Sequence, residues 1–223
     1  MKQLTVVLAL AGWLGATPLA VVLRTEGSVE MGLARNLKPA KVGELVRSEW
    51  VVKTAPGAKA RLRMLADQAT IDLAGGTALE LRVIQRHDRI LRRAYLLSGE
   101  ATIEAGDQSS DLRIETQTTI TNTTGGLFGV TMKPDGETTV HSKDGAAKVC
   151  NPETGEHERL TAGMMVTSTW DGILSSPKLL PPVSVVAPID SARKDSLVML
   201  NVRLSDPVTG KTSMLQYRFK VER

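Results

Sequence analysis

From Leu23 to Trp170 the chain alternates apolar and polar residues in short runs, and glycine punctuates those runs. Gly27-Ser-Val-Glu, Leu97-Ser-Gly-Glu-Ala-Thr-Ile and Asp144-Gly-Ala-Ala-Lys-Val each set a glycine just ahead of an alternating segment. Alternation with period two sends every second side chain to one face, as a half-buried strand requires. No stretch of helical period interrupts the series. The pattern therefore predicts stacked β-layers, and it points to a scaffold or sensor rather than to an enzyme.

The turn chemistry divides the series. Ala55-Pro-Gly-Ala, Ala66-Asp-Gln, Lys133-Pro-Asp-Gly-Glu and Asn151-Pro-Glu-Thr-Gly-Glu carry the residues that reverse a chain. Strands are expected at Gly43–Thr54, Ala60–Leu65, Thr70–Leu73 and Ala78–Val83, after an opening pair from Leu23 to Met31 and a loop at Leu37–Ala40. They recur at Glu100–Glu104, Leu112–Thr116, Thr118–Asn122, Leu127–Met132, Glu137–Ser142 and Ala146–Cys150, and Leu160–Thr167 closes the series. Between Ile84 and Arg93 the alternation blurs, yet both flanks keep period two, so a β-arm with a polar tip is expected there. The Gly75-Gly76 and Gly125-Gly126 pairs read as β-turn glycines. After Trp170-Asp-Gly the composition changes to Ser175-Ser-Pro-Lys-Leu-Leu-Pro-Pro, an extended linker. Leu197–Leu204 and Ser213–Val221 then form a last hairpin across Asp206-Pro-Val-Thr-Gly.

The N-terminus has an export layout. Met1-Lys2-Gln3 is a short positive region, Leu4–Leu14 is apolar, and Gly15–Ala20 brings small residues and a proline. Cleavage is expected near Ala20, with Ala16 as the alternative; left uncleaved, Leu4–Leu23 would serve as a membrane anchor. Residues 1–20 are thus read as a signal peptide or N-terminal anchor, 21–172 as the β domain, 173–182 as a linker and 183–223 as a C-terminal β-hairpin extension. Cys150 is the only cysteine, so no disulfide can form within the chain. Aromatics make up 3% of the 223 residues, which argues against sugar stacking or single-stranded nucleic-acid binding. The net charge of +4 is spread among interleaved acids, unlike the dense stripe of a nucleic-acid binder.

Catalytic patterns are few. His87, His141 and His157 stand apart with no metal-site spacing. No Gly-x-Ser-x-Gly elbow or Gly-Lys-Ser/Thr phosphate loop is present. Neither a catalytic residue, a metal nor a cofactor is expected. The candidate contacts are the basic arm, Arg82, Arg86, Arg89, Arg92 and Arg93, and the threonine-rich segment at Thr118, Thr119 and Thr121. Guanidiniums on an arm suit an acidic partner, an anionic lipid head group or an envelope polymer. A polar, β-prone strand edge can accept a partner strand.

The ordered series resembles the FecR-like domain family of bacterial envelope proteins. The elements are Gly27-x-Val29, Leu37 to Gly43, Val52-Lys-Thr54, Ala60-x-Leu62, Ile71-x-Leu73 and Leu97-Ser-Gly99-Glu-Ala. They continue through Ile114-x-Thr116, Phe128-x-Val130, Gly145-x-Ala147-x-Val149 and Leu160-x-x-Gly163, so that the resemblance spans roughly Leu23 to Thr169. Family members commonly carry Gly-Thr before the Phe-x-Val strand, where this chain has Gly126-Leu127. The regulators that name the family carry a cytoplasmic anti-sigma segment before a membrane helix. Only Met1-Lys2-Gln3 precedes the apolar run here, so no cytoplasmic sigma-factor contact is expected from this chain. The resemblance implies an all-β, two-layer antiparallel sandwich with solenoid-like stacking, plus a short C-terminal β-extension. It implies a non-catalytic periplasmic sensing or interaction module that binds a protein partner or envelope polymer. The alternative is a structural envelope subunit, a homo-oligomer assembling through strand edges. A lipid-handling jelly-roll protein or an envelope enzyme is the lesser expectation.

Overall fold

The computed structural model describes residues 17–86, 89–105, 112–181, 197–205 and 212–220. Residues 1–16 of the expected leader, the arm tip with His87, and residues 183–196 lie outside that set, as does the turn expected at Asp206–Gly210. Strands occupy most of what is described, and no helix is present among those residues.

The first strand, β1 (Pro18–Glu26), lies between β4 (Leu45–Arg47) and β6 (Lys59–Met64). It starts inside the expected leader, and Leu19 and Ala20 are already in the core. β2 (Val29–Leu33) pairs with β3 (Asn36–Pro39), where a loop was expected, and with β5 (Trp50–Thr54). β6 continues to β7 (Thr70–Leu73), and β5 to β8 (Ala78–Arg86). Both branches meet at β9 (Arg89–Ala105), a 17-residue strand that is the trunk of the fold.

Beyond β9 lie β10 (Leu112–Glu115), β11 (Ile120–Met132), β12 (Thr138–Cys150), β13 (His157–Leu160), β14 (Met164–Ser168) and β15 (Lys178–Leu179). The first half of β9 pairs with β10 and its second half with β11, while β10 also pairs with β11. This circuit closes the sheet on itself in the manner of a barrel. The fifteen strands form one hydrogen-bonded sheet, so the expected division into two solenoid-stacked layers is not what the chain adopts. Nor is the pairing wholly antiparallel, because β9 and β10 run parallel. The C-terminal strands β16 (Leu197–Ser205) and β17 (Thr212–Lys220) pair in continuous register as a separate two-stranded sheet.

The core follows directly from the alternation. In β6 Ala60, Leu62 and Met64 are buried while Lys59, Arg61 and Arg63 are exposed. Ile71, Ile103, Phe128, Val130, Val140 and Val166 bring the same inner face across five further strands. Each such aliphatic or aromatic side chain contributes roughly 1.5–3 kcal/mol of burial. β11 and β12 are each 13 residues long, where two shorter strands had been expected in each place. A register shift between Thr123 and Gly126 lets the ribbon bend without breaking its ladder. Gly125 and Gly126 therefore sit at a mid-strand bulge rather than at a turn.

Candidate functional site

The arm is the hairpin of β8 and β9, paired from Leu79↔Leu96 out to Arg86↔Arg89. Its arginines have unlike environments. Arg82 is half exposed, donates to both carboxylate oxygens of Glu80 at 2.5 and 3.0 Å, and stacks 4.9 Å from the Tyr95 ring. The hydrogen bond to Glu80 holds its pKa above the ordinary guanidinium value. Arg92 points to the opposite side of the sheet, where its Nε stands 3.8 Å from the buried Asp67 carboxylate. Arg93 pairs with Glu115 at 3.0 Å and donates to the Tyr95 hydroxyl at 3.3 Å. Arg86 and Arg89 oppose each other near the tip, and their side chains lie outside the described residues.

The threonines are placed quite differently. Thr118, Thr119 and Thr121 are buried, at 4%, 0% and 0% exposure. The Thr118 hydroxyl lies within hydrogen-bond distance of the Gly136 carbonyl at 3.1 Å and of the Thr138 hydroxyl at 2.9 Å. The Thr116 hydroxyl bonds those of Thr119 and Thr138 at 2.9 and 3.0 Å. Ser168 donates to the Thr118 carbonyl, and Asn151 donates to Ser168, each at 3.0 Å. These hydroxyls fasten the β10–β11 loop to the β11–β12 hairpin and to β14. Thr121 lies in β11 between β10 and β12, with both edges of its strand paired. The structure thus does not bring the threonines and the arm into one exposed surface.

Two other features are built by the tertiary fold. An open groove of about 320 Å³ on the outer face of β1, β6, β7 and β9 is lined by Arg24, Lys59, Arg61, Asp72, Glu100 and Thr102. Arg61 grips Asp72 in it with two bonds of 2.6 and 2.7 Å, which raise the arginine pKa, so the groove is of mixed charge. On the same outer face His141 of β12 lies over Gly129 of β11, and burial lowers its pKa to about 4. No cluster of three metal-ligating side chains occurs among the described residues.

Residues 51–148, from β5 through most of β12, match the family described as FecR protein. This chain carries a FecR-family domain. No curated protein matches the sequence. Two crystal structures of a protein from Parabacteroides distasonis ATCC 8503, provisionally described as an anti-sigma factor and solved at 2.50 and 1.65 Å, are similar in fold. Each shares 19% identity with a TM-score of 0.48, over 58% of this chain and 59% of the other. The chain therefore spans less than two thirds of the length of those structures.

The FecR-family domain contains the whole arm, and its strand register joins the arm to residues that the sequence pattern did not single out. Arg82 stands opposite Arg93, Arg93 beside Arg113, and Arg113 opposite Asn122. Asn122 in turn faces Lys148, and Lys148 faces Arg159 in β13, just past the matched segment. Each strand shows its polar residue at the right alternate position. Nothing local states that five distant cations share one line, because that depends on pairing partners and register.

Proposed function

We propose that the chain is a non-catalytic sensing or interaction module of the bacterial cell envelope that captures a protein partner. The FecR match over residues 51–148 carries this reading, since FecR-family proteins are envelope-associated regulators. Export by the N-terminal leader to the periplasm fits the same role. The proposed contact is the β8–β9 arm through Arg82, Arg86 and Arg89. Arg92 and Arg93 hold the arm in shape through Asp67 and Glu115. Thr118, Thr119 and Thr121 contribute from within, by fixing the β10–β11 loop.

The test is chemical crosslinking in the native envelope followed by capture of the full chain, compared with Arg82→Ser/Arg86→Ser/Arg89→Ser. A discrete protein captured by the parent and lost from the triple variant is the expected result. Equal capture by both would reject the arm, and the absence of any saturable protein partner would reject the reading itself.

A structural role draws support from one observation. β16 and β17 pair only with each other among the described strands, and a lone hairpin gains stability by adding strands. Assembly through that hairpin would give a concentration-dependent homo-oligomer, which deletion of residues 197–223 would abolish. A monomer at micromolar concentration counts against it.

A further inference from the structure

We propose that the outer face of β8 to β13 is a docking track for a linear acidic polysaccharide. The track is the row Arg82–Arg93–Arg113–Asn122–Lys148–Arg159, one residue from each of six consecutive strands. The track shares Arg82 with the proposed protein contact, and its test therefore uses Lys148 and Arg159, which that contact does not include.

The row lies on one face and is exposed at both ends. On the opposite side of the same strands Leu81, Ala94, Ile114, Thr121 and Val149 are buried; on the row's own face Arg82, Lys148 and Arg159 are exposed, while Arg93, Arg113 and Asn122 between them are partly buried. Strands lie about 4.8 Å apart, which makes the row roughly 24 Å long. Like charges directly across a pair of strands are unfavourable, and the row sets such pairs at Arg82/Arg93, Arg93/Arg113 and Lys148/Arg159. Compensation is uneven along it. Glu80 neutralises Arg82, and the single Glu115 serves both Arg93 at 3.0 Å and Arg113 at 3.9 Å. Lys148 and Arg159 are exposed and have no ion pair among the described residues. The β8–β10 end is therefore pre-organised by its carboxylates, while the β12–β13 end holds two cations open to an anion.

The shape of the row selects the class of polyanion. A lipid surface would meet a broad patch of free cations, and here the flanking row holds the Glu80 and Glu115 carboxylates, already paired to Arg82, Arg93 and Arg113. An extended acidic peptide gains affinity mainly by pairing with a free strand edge; β9, β10, β11 and β12 are paired on both sides, so only the two ends of the track, β13 and the outer part of β8, offer one among the described strands. Its side chains on one face would also repeat at about 6.7 Å, out of step with the strands. A chain of acidic sugar rings places one charge per ring, and a ring is about as wide as one strand spacing. Binding by charge rather than by stacking also suits a face on which the Tyr95 ring is covered by Arg82.

The test titrates polygalacturonate oligomers into the full chain at low salt, with the methyl-esterified polymer as uncharged control. The acid form is expected to bind saturably and the ester not to bind, with affinity falling as salt rises. Lys148→Gln/Arg159→Gln is expected to weaken binding roughly tenfold and to flatten the salt dependence. Its unfolding midpoint should match the parent, because both side chains are exposed. Lys148→Glu/Arg159→Glu should abolish binding. Equal binding of the ester, or an undiminished double variant, overturns the proposal. So does failure of the acid form to bind, or tighter binding of polyglutamate or anionic vesicles.

Discussion

The imidazole of His141 lies across Gly129 on the neighbouring strand, so close that a Cβ at position 129 would overlap the ring. The missing side chain makes a seat for the ring, and the seat is what desolvates it. Desolvation is the main cause of the lowered pKa, and the Lys143 charge adds to it.

Stability is therefore expected to fall as pH drops from about 6.5 to about 4. Above that window the histidine is neutral in both states. Within it the unfolded chain takes up a proton that the folded chain refuses until pH reaches about 4. The shift corresponds to as much as about 3 kcal/mol across the window. Urea unfolding at pH 7.5, 5.5 and 4.0 should show a smaller loss for His141→Gln than for the parent. Parallel losses would show that carboxylates alone produce the acid sensitivity. Gly129→Ala should push the ring into solvent and raise its pKa toward 6.5, readable from the NMR titration of His141.

A second expectation concerns the bulge where β11 crosses β12. Gly126 has φ +98°, and a Cβ there would collide with the Asp144 carbonyl oxygen. Gly145 faces the Gly125 carbonyl in the same way. Backbone cannot move aside as a flexible side chain can. Gly126→Ala should cost at least about 2 kcal/mol, measured by denaturant unfolding, whereas Gly155→Ala has open space and should lose less.

The Asp67–Arg92 pair gives a third. The Asp67 side chain is almost wholly buried, its Oδ1 accepts the Ala69 N–H, and its Oδ2 has only Arg92 at 3.8 Å. Removing one partner leaves the other charged and desolvated, at a cost of about 3 kcal/mol. Arg92→Met should therefore destabilise more than Asp67→Asn/Arg92→Met. Additive losses in that double-mutant cycle would rule out the coupling.

The start of β1 bears on processing. Leu19 and Ala20 are buried, the Ser48 N–H donates to the Thr17 carbonyl, and the Leu65 N–H donates to the Leu19 carbonyl. A chain beginning at Val21 loses these, which should cost about 3 kcal/mol from one leucine and two hydrogen bonds. A chain beginning at Thr17 keeps them. Processing after Ala16 is therefore expected, and the N-terminal sequence of the exported protein would read Thr17-Pro-Leu-Ala. A mature protein starting at Val21 with undiminished stability would refute this.

Much of the fold was legible because period-two alternation is a local property. The inner residues Leu62, Ile71, Ile103 and Val140 could be named from their spacing, and so could the hairpin turn at Lys133–Glu137. The threonine segment misled for an equally physical reason. Threonine suits an exposed strand and a buried hydroxyl network alike, and only the approach of Gly136, Thr138 and Ser168 places it in the second. Pro18–Ala20 read as leader because small residues after an apolar run serve a peptidase as well as a core strand.

The glycine-punctuated alternation by itself determined an all-β chain, its inward residues and its FecR-like character, since each depends on neighbours a few positions away. Only the tertiary structure decided which strands meet. Register fixed the circuit through β9, β10 and β11, the parallel pair within it, and the seat of His141 on Gly129. It also set Arg82, Arg93, Arg113, Lys148 and Arg159 in one row. A side chain's face is set by its own strand, but its neighbours across the sheet are set by pairing over long stretches of chain.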